Sequence, residues 1–347
     1  MTARPRGHAQ ATGRANIRDV AARAGVSVTT VSHTLNGTRF VSEAARAKVH
    51  EAAHALGYVP SEIARGLKHN TTRTLGMLVP NNSNPYFAEI IRGVEHHCYG
   101  AGYSLLLCNT NDDPQQQADH LRVLAERRVD GIVLVASGDD DAIVDVCKDL
   151  RLPLVLVDRE IDTIAADLIE VDHAAGGDLA TSHLLSLGHA RVACIVGPAD
   201  LRPSQQREAG WRRALERAGV TPRADEVVRG DFGPESGAAA MRRLLKSAQP
   251  PSAVFVCNDM MAIGALHAAH EAGIDVPRQL SVVGFDDIEL AAYTSPPLTT
   301  VAQPKEAIGT GAAGLLLERL RDGRTAPRRA VLQPELHLRA TTARPQG

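Results

Sequence analysis

The chain changes its hydrophobic rhythm once. From Leu75 onward, short continuous apolar runs alternate with longer stretches of helical period. The runs are Leu75–Val79, Ser104–Cys108, Gly131–Val135, Leu154–Val157, Arg191–Val196, Val227–Arg229, Ala253–Cys257 and Ser281–Phe285. Between them lie Tyr86–Gly102, Pro114–Arg128, Asp141–Leu150, Ala174–Leu187, Gln206–Ala218, Glu235–Lys246 and Asp259–Ala272. Apolar strands separated by helices of this length predict parallel sheets covered on both faces. A region this long suits two similar lobes better than one.

Before Leu75, past an aperiodic stretch over residues 1–15, the period is helical. "IRDVAARAGVSVTTVSHTLNG" reads as helix, short turn, helix. Asp19 sits in the first turn of the first helix, where a carboxylate suits the dipole. Val20, Ala21 and Ala24 form its apolar face, and Gly25 supplies the positive φ that ends it. Ser27 is placed to cap the second helix. Val31 and Leu35, four residues apart, turn back onto the first. "VSEAARAKVHEAAHALGYVP" adds a third helix between Ser42 and Gly57. This is a helix-turn-helix.

The second helix is built from mediocre helix formers. Its outward face, Val28, Thr29, Ser32 and His33, is small and hydroxyl-rich. Such a face fits a major groove, where hydroxyls meet phosphates or bases and a methyl meets thymine. Arg18, Ser27, Thr30 and Asn36 complete the expected set of DNA contacts. In the following "PSEIARGLKHNTTRT", Ala64, Leu67 and Lys68 share a helical face. An apolar side chain beside a cation is what a minor-groove wedge requires. Leu67→Gly is then expected to weaken DNA binding.

Charge supports this division. Residues 1–74 carry 11 Lys and Arg against 4 acids, whereas the remainder carries 27 against 36. A basic head on an acidic body suggests that only the head meets a polyanion. The five cysteines include no CxxC pair and read as small buried side chains in a reducing compartment. No apolar run is long enough to span a membrane, and the basic N-terminus lacks a signal-peptide core. A cytoplasmic protein is expected.

The segments "IRDVAARAGVSVTTVSHTLNG", "ARGLKHN" and "TLGMLVPNNSNPYFAEIIRGVE" resemble the lac repressor (LacI/GalR) family of bacterial regulators. The resemblance runs from about Ile17 to the C-terminus. It implies a homodimer on a near-palindromic double-stranded operator, with hinge helices around Ser61–His69 that order on DNA. The Arg-, Ala-, Gly- and Pro-containing residues 1–15 read as a disordered arm, followed by a headpiece over 16–60 and a hinge and linker over 61–74. The body, 75–347, is expected to be two Rossmann-like lobes of the periplasmic-binding-protein type. The N-lobe takes 75–172 and 303–334, the C-lobe 173–302 and 335–347.

Aromatics make up only 3% of the chain. Four of them, Tyr86, Phe87, Phe232 and Phe285, stand beside polar residues in expected strand-end loops, where a doubly wound sheet holds its ligand. The resemblance to ribose-binding proteins adds polar positions. Asn84 shares the first loop, Asp158 and Arg159 follow the fourth strand, and Arg207 stands before a helix. Asn258, Asp286 and Gln303 complete the set. "FDDIELAAYTSPPLTTVAQPK" resembles the ribose operon repressor, so the expected effector is a sugar, ribose first. A purine-responsive regulator with a nucleobase corepressor is the alternative, because such regulators also carry "YFAEI".

"GTGAAG" at Gly309–Gly314 matches a dinucleotide fingerprint literally but lies within a helical stretch, where small residues let helices approach, across a dimer interface in the expected arrangement. His96, His97 and Cys98 diverge around a helix rather than converge on a metal. No phosphate loop, GxSxG or HExxH is present. Neither an enzyme nor a cofactor is expected. A secreted sugar carrier is disfavoured by the lack of a signal sequence.

Overall fold

The computed structural model describes residues 15–59, 71–135, 141–150, 152–158, 160–161 and 163–346, and it divides into two compact units, Met1–Thr72 and Arg73–Gly347. Ala64, Leu67, Lys68 and Arg159 lie outside the described residues.

The first unit is three helices, α1 (Ile17–Ala24), α2 (Val28–Asn36) and α3 (Glu43–Ala55). Asn16, not foreseen in this role, caps α1 by accepting from the Arg18 and Asp19 backbone N–H groups, and Asp19 answers with a bond to the Asn16 N–H. Gly25 ends α1 at φ 65°, and Ser27 Oγ caps α2 through the Thr30 N–H at 3.0 Å. Val20, Val31 and Val49, one from each helix, are wholly buried and anchor a small core.

The second unit begins with β1 (Thr74–Val79), α4 (Pro85–Gly100), β2 (Ser104–Asn109), α5 (Pro114–Glu126), β3 (Gly131–Val135), α6 (Asp141–Leu150), β4 (Leu154–Val157) and β5 (Asp167–Val171). It continues with α7 (His173–Ser186), β6 (Val192–Val196), α8 (Arg202–Arg217), β7 (Val227–Arg229), α9 (Pro234–Leu245), β8 (Ala253–Val256), α10 (Asp259–Glu271) and β9 (Ser281–Asp286). β10 (Thr299–Ala302), α11 (Lys305–Asp322), β11 (Arg329–Leu332) and β12 (Glu335–His337) close the chain.

The strands form two six-stranded sheets, ordered β11-β5-β4-β3-β1-β2 and β12-β10-β9-β8-β6-β7. Every neighbouring pair is parallel except β10 with β12. The chain therefore passes between lobes at Asp172, at Gln303 and at Gln333–Pro334. The doubly wound α/β fold is the one that the apolar runs predict. Four strands, β5, β10, β11 and β12, are additional to those runs.

Three helix pairs within the lobes cross on facing glycines. A Cβ on Gly309 would stand 2.3 Å from the Ile90 carbonyl and 3.0 Å from Gly93 Cα. Gly177 meets the Arg207 carbonyl at 2.2 Å, and Gly210 meets that of Ala174 at 2.1 Å. Gly237 and Gly264 do the same for α9 and α10. The small-residue stretch Gly309–Gly314 does let helices approach, with Gly309 at the α4–α11 crossing inside one lobe.

Candidate functional site

On the headpiece, Val28 is 41% exposed, and Arg18, Ser27, Thr29 and Asn36 are also exposed. Thr30, Ser32 and His33 are half-buried and partly engaged within the unit. Thr30 Oγ1 lies 2.8 Å from Ser27 Oγ, Asn36 Nδ2 donates to Ser32 Oγ at 3.2 Å, and His33 Nδ1 is 2.7 Å from Thr38 Oγ1. The outward surface of α2 is thus a self-bonded hydroxyl face around exposed Val28 and Thr29.

In the second unit a cavity of about 680 Å³ opens among loops from both lobes. Each contributing loop follows a strand's C-terminal end, where a doubly wound sheet places ligands. Pro80, Asn84, Tyr86 and Phe87 follow β1, Asp112 follows β2, Val135 ends β3 and Asp158 follows β4. From the second lobe come Pro198, Leu201 and Pro203 after β6, Asp231 and Phe232 after β7, Asn258 and Met260 after β8, and Asp286 at the end of β9. Arg207 reaches the cavity from inside α8, not from before a helix, because α8 already begins at Arg202.

Six side chains beneath the cavity close a ring that joins the lobes. Tyr86 Oη is 2.8 Å from Asp158 Oδ2 and 3.1 Å from Gln303 Oε1, its one proton shared between these acceptors. Gln303 Nε2 donates to Asp286 Oδ1 at 2.7 Å, and Asp286 Oδ1 lies 3.6 Å from Arg207 Nη1. Arg207 Nε donates to His173 Nδ1 at 3.3 Å. His173 Nε2 returns to within 3.3 Å of Asp158 Oδ1, too poorly aligned for a hydrogen bond.

Electrostatics follow from this geometry. Burial lowers the His173 pKa, with Asp158 opposing, so the imidazole is neutral and carries its proton on Nε2 while Nδ1 accepts from Arg207. Burial opposes ionisation of Asp158, but His173, Tyr86 and Arg207 together outweigh it and hold the carboxyl below its ordinary value. Burial pushes Asp286 up to about 6, against the pull of Arg207, Gln303 and Lys305. Tyr86 is raised well above the usual phenol, first by burial and then by the Asp158 charge.

The backbone is strained where these groups sit. Asp112, Asp158, Phe232 and Asp286 have φ of 58°, 59°, 68° and 110°, in the region that favours glycine. Lys305 Nζ clamps the Asp286 turn by donating to its carbonyl at 2.9 Å and to that of Asp287. The Asp287 carboxylate is in turn held by His337 at 2.8 Å and Arg339 at 2.6 Å.

Two expected cavity residues are not part of the wall. Phe285 is fully buried, and the Arg207 guanidinium carbon stands 3.9 Å over its ring centroid, so it supports Arg207 from below. Gln303 lies behind Tyr86 and Asp286 as a link in the ring. Asn84 and Asn258 line the cavity but spend their carbonyl oxygens as helix caps on the Tyr86 and Met261 N–H groups. The Asn258 amide also donates to the Phe232 backbone carbonyl at 3.0 Å and so holds the loop after β7. His173 and Lys305 went unforeseen. His173 follows β5, a strand that the apolar pattern did not reveal. Among the described residues no cluster could hold a metal ion, and no helix is long and apolar enough to cross a membrane.

A helix-turn-helix unit followed by a two-lobed cavity defines a ligand-responsive DNA-binding regulator. The match to known proteins is specific: residues 16–61 fit the bacterial regulatory proteins of the lacI family, and 181–342 fit a periplasmic binding protein-like domain. The chain is 43% identical over 323 residues to the HTH-type transcriptional repressor PurR of Aliivibrio salmonicida, covering 93% of this chain and 97% of that protein. The lac repressor dimer bound to operator and the anti-inducer ONPF superposes with a TM-score of 0.87 at 28% identity, covering 95% of this chain and all (100%) of that one. A LacI-family regulator from Enterococcus faecium with bound ribose gives a TM-score of 0.70 at 31% identity over 78% of this chain and 99% of that one. The chain belongs to the LacI family: it is a DNA-binding transcriptional repressor, and its relatives are repressors rather than enzymes.

Proposed function

We propose that this repressor acts as a homodimer on operator DNA and takes a purine base as its effector. The observation that carries the reading is the cavity's division into apolar walls and a polar floor. The side chains of Pro80, Val135, Leu201, Pro203 and Met260 offer no hydrogen bonds, and Phe87 and Phe232 add aromatic surface. A flat heteroaromatic ring suits such walls, while its edge N–H and carbonyl groups suit Asp158, Asp286 and Arg207. Identity of 43% to PurR repressors over nearly the whole chain supports the same choice. It replaces ribose as the first reading.

Ribose remains a second reading on one observation. Asp158, Arg207, Asn258 and Asp286 converge on the cavity, and carboxylates can accept from sugar hydroxyls. The ribose-bound relative supports it. Calorimetric titration of the full chain with hypoxanthine, guanine and D-ribose separates the two. Heat from a base with none from ribose is the expected result; heat from ribose alone would overturn it. Operator binding measured with and without the bound compound then gives the sign of the response, with tightening expected for a corepressor.

A further inference from the structure

The cavity is unevenly charged. Five carboxylates line it, Asp112, Asp158, Asp200, Asp231 and Asp286, and among the described residues the sole lining cation is Arg207. Arg207 is buried and committed: Nη1 donates to the Cys257 carbonyl at 2.5 Å and Nε to His173 at 3.3 Å, while Asp286 lies 3.6 Å away. Among the described residues it balances the floor and leaves little positive charge for an incoming anion.

The mouth carries the surplus. Asp112 after β2, Asp200 after β6 and Asp231 after β7 are exposed and come from both lobes. None of the three has an ion-pair partner among the described residues. Asp231 is aimed by its own turn, where its Oδ1 accepts the Gly233 N–H at 2.7 Å.

We infer that this acidic mouth is a charge filter, which admits neutral or cationic effectors and rejects their phosphorylated counterparts. The inference rests on the cavity being the effector site and holds for a base or a sugar alike. A phosphate ester brings close to two negative charges past three like charges, in a concave site whose walls concentrate the field. Repulsions summed over those pairs correspond to a loss of about 100-fold or more in affinity at low salt. The repressor would thus respond to a free base or free sugar without interference from nucleotides or sugar phosphates.

Calorimetry on the full chain at low salt tests it in matched pairs: hypoxanthine against inosine 5′-monophosphate, and ribose against ribose 5-phosphate. Within the pair that binds, the phosphate ester is expected to be weaker by about 100-fold. The combined variant Asp112→Asn, Asp200→Asn, Asp231→Asn should narrow that ratio about tenfold or more, because amides of the same shape keep the turns and remove the charge. Equal binding of ester and parent compound, or a ratio unmoved by the variant, would overturn the filter. A second measurement needs no effector. Met260, half-buried in the wall, is changed to cysteine (Met260→Cys) and modified with a cationic or an anionic methanethiosulfonate, subtracting the rate of the parent chain. Relative to each reagent's rate with a free small thiol, the cation should react faster, and the triple variant should lose that preference; equal normalised rates in the parent background refute the filter. If none of the four compounds binds, the effector reading fails, and the thiol rates still decide the filter.

Discussion

Asp286 shows how a residue is tuned by its surroundings. Arg207, Gln303 and Lys305 favour its charge, while burial and Asp158 oppose it, and its pKa settles at about 6. The neighbouring Asp259 is fully buried and itself raised, first by burial and then by Asp286. The sign for binding follows. Above pH 6 the carboxylate accepts a ligand N–H or O–H; below it the proton removes that acceptor. Effector affinity is therefore expected to fall as pH drops from 7 to 5, approaching tenfold per unit at the acid end. Titrations across that range check it, and in Asp286→Asn affinity should be lower and this pH slope lost. The sequence marks Asp286 and Arg207 as chemistry-bearing, but it cannot tell a wall from a support. Phe285 looks like a ligand contact because it adjoins Asp286, yet successive strand residues face opposite ways, and its ring lies under Arg207.

At the level of elements, the helix pairs owe their closeness to glycine. Gly177 is instructive because its Cβ would meet the carbonyl of Arg207 itself. Gly177→Ala is expected to push α8 away from α7, cost about 1–3 kcal/mol of stability and weaken effector binding by moving Arg207. Denaturant unfolding and calorimetry on one preparation read both effects; unchanged affinity would show that Arg207 adjusts independently. β5 explains why some elements were not legible. Its Asp167 and Glu170 interrupt the apolar run, so the segment does not look like a buried strand. Their partners, Arg324, Arg319 and Arg329, lie more than 140 residues on and cannot be read from local pattern. Burial opposes the Asp167 charge, but Arg324, the Arg328 N–H and Arg319 outweigh it and lower its pKa. Its stabilising contribution is thus present above the ordinary carboxylate range and is lost as pH falls through the lowered value. Unfolding midpoints should decline on that acid side in the parent chain, and less so in Asp167→Asn.

Across the whole molecule, the change of hydrophobic period at Leu75 and the reversal of charge mark the same division of labour. Operator affinity is expected to fall linearly in log salt, because the head displaces condensed counterions from DNA. Affinity for an uncharged effector should barely respond over the same range. Fluorescence anisotropy on a labelled operator, beside calorimetry on the effector, measures both slopes; a flat operator slope would contradict a phosphate-contacting head. The two-lobed plan was legible because apolar runs repeat. The three passages between lobes were not readable from local pattern, since they depend on which sheet accepts β10, β11 and β12.

The closed ring of Tyr86, Asp158, His173, Arg207, Asp286 and Gln303 has a consequence for how such a repressor diversifies. Each member answers to two neighbours, so a change at one must be matched by changes at others. The wall residues Leu201 and Met260 take part in no such ring of polar bonds. A laboratory selection for variants that answer to a new compound should therefore collect substitutions on the walls first and leave the ring intact. The ancestry of the fold would be written in its floor, and its recent history in its walls.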